Sequence, residues 1–342
     1  VEPKIRLLVI NNSSVDMIER HRAWLESQGV EIISDPSFLS TQTHQLEPLL
    51  DNVHAVVGPS TALRLLPEHM DRTPSLQVIS LASSGHEWAD IDAATERGIV
   101  VTNSTVEEGA EAVADHTIGM LLAVVRQIPH HHQLLQAGQA RRGMGSLIWR
   151  KTLGIIGLGN IGGRVARRAI KGFDMKVLAA EIQPNYEFIQ KYGVELVPLD
   201  ELLQRADFVS LHVRLNPDTE RMIGARELAL MKPSAFLINT ARQKLVDEAA
   251  LTEAILSGRI AGAAIDDPPE DKHSPLLQLP NFVCTPHIGN RAIEGVDAVC
   301  LCAYQNAIDV VRGRWPRFIL NPQVYEGDRL RAPRPGRIEE SL

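Results

Sequence analysis

Cysteine is scarce in this chain of 342 residues, which holds only Cys284, Cys300 and Cys302. Three thiols build no disulfide framework, and such a content suits a reducing, cytoplasmic setting. Cys300 and Cys302 stand two apart in a helical pattern and point to different faces, so they read as structural thiols. Long apolar runs are missing as well. The longest, around Met120–Val125, falls far short of the roughly 20 residues a membrane span requires. The first residues show no charged-then-apolar leader pattern. There is no basic excess either: the net charge is −7, which argues against a nucleic-acid partner. His130, His131 and His132 are consecutive, share no helix face, and read as a polar helix end, with no metal site implied. No internal repeat is visible.

What the chain has is length and an apolar content of 44%, enough for two cored domains. Strand and helix patterns alternate from the start. Apolar runs at Arg6–Asn11, Val30–Ile33, Ala55–Val57, Leu76–Ala82 and Ile99–Thr102 read as strands, with helices over Val15–Gln28 and Ile91–Arg97. The periodicity then predicts one long helix from Val106 to about Gln136, apolar over most of its girth and so buried between domains or against another subunit. A second alternating series follows, with strands at Leu153–Gly157, Lys176–Ala180, Glu195–Val197, Phe208–Val213, Ala235–Asn239, Ile260–Ile265 and Phe282–Thr285. A final helix spans Ile293–Arg312, and from Glu326 the absence of apolar periodicity predicts a poorly packed tail. Such alternation is the pattern of doubly wound α/β domains with parallel sheets.

The second series opens on KTLGIIGLGNIGGRVARRA, Lys151–Ala169. Gly157, Gly159 and Gly162 form G-x-G-x-x-G between an apolar strand and a helical pattern carried by Ile161, Val165 and Ala169. These glycines allow a tight turn, close approach of backbone to a pyrophosphate, and close packing of helix on strand. The free N–H groups of the helix N-terminus suit the phosphates. Glu181 closes the next strand at the spacing expected of an acid that bonds the adenine ribose. A carboxylate there accepts from both ribose hydroxyls and repels a 2′-phosphate, and Ile182–Asn185 offer no cation, so the pattern favours NAD over NADP.

LINTARQKLVDEAAL (237–251), AGAAIDD (261–267) and CTPHIG (284–289), with matching blocks along nearly the whole chain, resemble the D-2-hydroxyacid dehydrogenases. The resemblance implies two Rossmann-like domains. Residues 106–290 would form the NAD-binding domain, inserted into a flavodoxin-like substrate domain built from residues 1–105 and 291–330, with 331–342 as a tail. It also implies a homodimer assembled around the 106–136 helix. Arg242 would hold the carboxylate and carbonyl of a small 2-hydroxy or 2-oxo acid, and His287 would serve as general acid and base. Asp271, five residues past Asp266, would be the carboxylate that orients His287, with Glu270 adjacent. Backbone N–H groups of Ser84 and Gly85 would complete the carboxylate clamp. Asn160, Ile161, His212, Thr240, Ala241, Asp266, His287 and Gly289 would line the cofactor beside the glycines and Glu181.

These roles suit the residue types. The fixed fork of an arginine holds two oxygens at once, and a histidine gives and retakes a proton near neutrality. The chain departs from the family at several points: Asp271 where Glu is usual, Gln243 where Gly is usual, Arg214 where Pro is usual, and Asp267–Pro268 where an apolar pair is usual. The departures point to a modified substrate or an unusual partner to the cofactor, and the extra residues Ser83–Ser84 and Glu87–Trp88 near the clamp are expected to shape the substrate pocket. Two alternatives stand beside the dehydrogenase: an oxidoreductase acting on another oxyanion such as phosphite, and an NAD-sensing, corepressor-like binding protein of the same fold.

Overall fold

The computed structural model describes residues 4–10, 17–35, 46–58, 64–86 and 89–336. Asn11, Val15, the pair Glu87–Trp88 and the last residues of the tail, 337–342, lie outside the described residues. The chain divides into two compact units: Val1–Gly109 with Ala292–Leu342, and Ala110–Arg291.

The first unit holds five parallel strands: β1 (Ile5–Val9), β2 (Val30–Ile33), β3 (Ala55–Val57), β4 (Val78–Ser80) and β5 (Val100–Thr102). They are ordered β2-β1-β3-β4-β5, a flavodoxin-like order. Strands covered on both faces read as continuous apolar runs, which is why LLV, AVV and VVT lack polar alternation. One face (Leu7, Val9, Val57, Val78, Val100) packs on the final helix, Ile293–Val311, through Cys300, Ala303, Tyr304 and Ile308. The chain's last helix thus completes the core of its first sheet. Residues 327–336 correct the expectation of a loose tail for the part of it that is described. Arg331 donates to the carbonyl oxygens of Met70 and Thr73, its N–H bonds Gly98, and Ala332 is buried. Arginine side chains bound to backbone carbonyls supply the anchoring that apolar periodicity would otherwise have signalled.

The second unit holds seven parallel strands, β6 (Thr152–Ile156), β7 (Lys176–Ala180), β8 (Glu195–Leu196), β9 (Phe208–Leu211), β10 (Phe236–Asn239), β11 (Gly262–Ile265) and β12 (Phe282–Cys284). Their order, β12-β11-β10-β9-β6-β7-β8, places a topological switch between β6 and β9, where open α/β sheets bind ligands at the carboxyl ends. Both units are therefore doubly wound α/β folds. One face of the second sheet is packed with Leu178, Val209, Leu237 and Ile265, and the other with Leu153, Ile155, Val177 and Ile238.

The long helix predicted over 106–136 is two helices, Glu107–Val125 and Ile128–Gln136. Gln127 between them is left-handed at φ 52°, and Pro129 opens the second helix. Proline cannot continue the ladder of a preceding helix but suits a first turn. The first helix packs Ala114, Thr117, Leu121 and Val124 inward. Among the described residues no helix is long and apolar enough to cross a membrane. A short helix at Tyr186–Tyr192 was legible only in its caps, Asn185, which accepts from the Phe188 N–H, and left-handed Gly193.

Candidate active site

The fingerprint turn leaves β6 at Gly157, which sits at φ +90°. A Cβ there would lie 2.8 Å from the His212 carbonyl oxygen, and one on Gly162 would lie 2.0 Å from the Gly157 carbonyl oxygen. These glycines bring the 160–173 helix against its strand. Gly159 differs, since a Cβ there would meet nothing within 4 Å. It is also the N-cap of that helix and provides no side-chain cap, so the first N–H groups face outward with Asn160 and Ile161. Uncapped donors beside an open glycine are the cradle a pyrophosphate needs. Glu181 closes it: its carboxylate accepts from the Leu158 N–H at 2.6 Å and the Gln183 N–H at 2.8 Å, fixing it at the end of β7.

The two glycines predict opposite behaviours. Gly162→Ala drives a methyl into backbone and is expected to cost about 1–3 kcal/mol or more, lowering the melting temperature as well as NADH binding. Gly159→Ala is expected to keep the melting temperature and weaken NADH alone. Calorimetry with fluorescence titration of NADH reads both; a Gly162→Ala protein as stable as the native one would refute the close packing.

On the other side of the switch, His212 follows β9, its N–H on the Ile156 carbonyl and its Nε2 2.9 Å from Ser210 Oγ. Burial pushes its pKa down to about 3, so the ring is neutral at physiological pH. Thr240 is buried after β10, its hydroxyl 2.8 Å from Thr117 Oγ1. Asn239 shapes the next turn, accepting from the Ala241 N–H and donating to the Arg242 carbonyl. The Arg242 guanidinium donates from Nη1 to the Ala241 carbonyl at 2.7 Å.

Strands β10, β11 and β12 are neighbours in register, Asn239 opposite Ile265 and Ile265 opposite Cys284. Their carboxyl ends therefore deliver Arg242, Asp266 and His287 to one edge. Asp266, 3% exposed, is the hub: it accepts from Thr285 Oγ1 and from the N–H groups of Ile288 and Gly289 at 2.7–2.8 Å. Burial alone would raise its pKa, but hydrogen bonds from His116, Thr285 and the Ile288 N–H hold the carboxyl below its ordinary value. His116, on the 107–125 helix, is a residue the sequence reading missed; its Nε2 lies 3.1 Å from Thr285 Oγ1. Its only signal was a histidine beside Asp115 and Thr117 in the middle of a helix whose second half is apolar. The loop so built carries His287 half-exposed and left-handed at φ 56°, a conformation that non-glycine residues adopt only where surroundings impose it.

The carboxylate that meets His287 is not Asp271. Asp267 Oδ1 lies 3.4 Å from His287 Nδ1, whereas Asp271 Oδ1 accepts from the His273 N–H. Asp271 and Glu270 instead line a groove of about 880 Å³ with Glu220, Arg221 and Lys244. Counting five residues from Asp266 presumed a longer loop; here 268–274 turns early, its Ser274 N–H bonded to the Asp271 carbonyl. Cys284 stands beside the acids, and burial, then Asp266 and Asp267, push its thiol up to about 11, which favours the protonated thiol over the thiolate. Ser84 and Gly85 belong to the first unit, after β4, where Asn103 Nδ2 bonds the Ser84 carbonyl and Ser83 Oγ the Gly85 carbonyl.

Residues 118–289 match the family model described as D-isomer specific 2-hydroxyacid dehydrogenase, NAD binding domain. The chain is 38% identical over 288 residues to a D-3-phosphoglycerate dehydrogenase of Methanocaldococcus jannaschii, covering 82% of this chain but only 54%, about half, of that relative's length. A glyoxylate reductase of Pyrococcus furiosus is 36% identical over 293 residues, 82% of this chain and 87% of the relative. Among solved structures, the NAD-complexed D-isomer specific 2-hydroxyacid dehydrogenase of Lactobacillus delbrueckii ssp. bulgaricus superposes with a TM-score of 0.74 at 27% identity, covering 92% of this chain and 100% of that one.

Proposed function

Since the chain belongs to the D-isomer specific 2-hydroxyacid dehydrogenase family and binds NAD, we propose that it reduces a small 2-oxoacid to the 2-hydroxyacid (the D-isomer where C2 is a stereocentre), with glyoxylate and hydroxypyruvate as the substrates of choice. The observation that carries this reading is that Arg242 and His287 follow β10 and β12, the two strands that flank β11 and the buried Asp266 at its end. The cofactor, held by Gly157–Gly162, Glu181, His212, Thr240, Ala241, Asp266 and Gly289, supplies a hydride when bound as NADH.

Arg242 provides a planar cation that grips the substrate carboxylate and carbonyl oxygen together, polarising the carbonyl. Protonated His287 donates its proton to the carbonyl oxygen as the carbon accepts hydride, and in the oxidation direction it takes that proton back. His212, neutral through burial, adds no charge to the site. Reading the protein as a homodimer is supported by large apolar side chains left exposed next to the long-helix region: Ile128, Leu135, Met144, Leu147 and Trp149. Cys284, Cys300 and Cys302 form no disulfide among the described residues, which agrees with a cytoplasmic setting.

NADH consumption with glyoxylate, hydroxypyruvate, pyruvate and a bulky 2-oxoacid tests the proposal. Turnover is expected to be fastest with glyoxylate and hydroxypyruvate. Tight NADH binding with no oxidation on any substrate would instead identify a nucleotide-sensing protein of this fold.

A further inference from the structure

We infer that Asp267 is the positioning residue for His287, holding the ring through Nδ1 so that Nε2 faces the substrate. The inference rests on the reading of His287 as the proton donor. Three departures from the family pattern, Asp267, Gln243 and the short 268–274 loop, form one hydrogen-bonded arrangement here. Asp267 turns one oxygen, Oδ1, to His287 Nδ1 and accepts the Gln243 N–H on the other, Oδ2, at 3.1 Å. The carboxylate therefore ties the His287 loop to the residue that follows Arg242. Gln243 is itself buried and donates from Nε2 to Glu248 Oε2 at 3.0 Å. The same Glu248 oxygen accepts the Glu270 N–H, which pins the short loop with its acids turned into the neighbouring groove. Cys284 Sγ lies 3.5 Å from the Asp267 carbonyl, bracing the backbone from the next strand.

A carboxylate does two things to an imidazole in this arrangement. It fixes which nitrogen carries the inner proton, and it favours the charged ring, the form that gives a proton to the carbonyl. The 3.4 Å separation is at the long end for a hydrogen bond, as catalytic contacts often are before the substrate closes them. The other ionisable groups around the pair are Asp266 and His116 beneath the 285–289 loop, Cys284 on β12, Arg242 on the adjoining turn and Glu248 beyond Gln243. Of these, Asp266 is engaged by Thr285 and by the N–H groups of Ile288 and Gly289, whereas Asp267 turns Oδ1 to the ring.

The test compares Asp267→Asn, Asp267→Glu and Asp271→Asn in the full chain, with two readouts. Asparagine retains an oxygen for the Gln243 N–H, so the turn is kept and only the charge is lost. Asp267→Asn is expected to lower kcat about tenfold or more and to move the alkaline limb of the reduction profile to lower pH, because the ring then loses its proton earlier. Asp267→Glu is expected to restore part of kcat and the position of the limb. The second readout, NMR titration of the His287 ring signals assigned with His287→Asn, is expected to move the same way. The inference is overturned if Asp271→Asn shifts the His287 titration and Asp267→Asn does not, or if Asp267→Asn lowers kcat with the titration unmoved. Should the native protein oxidise NADH with no 2-oxoacid, the functional reading fails, while the ring titration still decides the role of Asp267.

Discussion

His287→Asn is expected to lower kcat for 2-oxoacid reduction by about 10²–10⁴-fold, the usual contribution of a positioned general acid. NADH binding should survive nearly intact. The substitution suits the site because asparagine tolerates the left-handed backbone at φ 56° better than most side chains. The loop is also held from elsewhere: the N–H groups of Ile288 and Gly289 and the Thr285 hydroxyl all end on Asp266, and none of these bonds needs the imidazole. Stopped-flow reduction with a parallel NADH fluorescence titration separates the two effects. Turnover equal to the native rate would remove His287 from proton transfer, and the assignment of Asp267 would fall with it.

Arg242→Ala should have an effect of the same order, but on kcat/KM for the acid. Two charge-assisted hydrogen bonds at about 1.5–3 kcal/mol each amount to roughly 10²–10⁴-fold. The turn itself should persist, since the Arg242 carbonyl is anchored by Asn239 Nδ2 through the main chain. Arg242→Lys is the sharper variant. It keeps the charge but presents a single ammonium where two oxygens must be held, so it should recover only a small part of the loss. If lysine restores full activity, the bidentate grip is wrong and Arg242 acts only as a nearby charge.

Much of the fold was written in short stretches. Continuous apolar runs such as LLV and AVV mark strands buried on both faces, and the observed strands fall within a residue or two of those runs. The fingerprint was equally local: Gly157, Gly162 and Glu181 act within one strand–turn–helix–strand unit, so their spacing alone carries the geometry. Other features had a weak local mark or none. The break at Gln127 was marked only by Pro129, which opens the second helix after one left-handed residue. The stretch around Arg331 is held by arginine-to-carbonyl bonds, which leave no trace in hydrophobic periodicity. His116 showed itself only once the 107–125 helix lay against Thr285 and Asp266.

The sequence by itself determined the nucleotide fold and its fingerprint, because Gly157, Gly162 and Glu181 act within one strand–turn–helix–strand unit. Which carboxylate faces His287 was decided by tertiary structure alone. Asp267 leaves the end of β11 directly, and the register of β10, β11 and β12 sets it between the Arg242 turn and the His287 loop. Asp271 sits on a loop whose path depends on Glu248 and Gln243, residues more than 20 positions away. Counting along a chain measures contour, whereas an ion pair is fixed by where the sheet puts its strand ends.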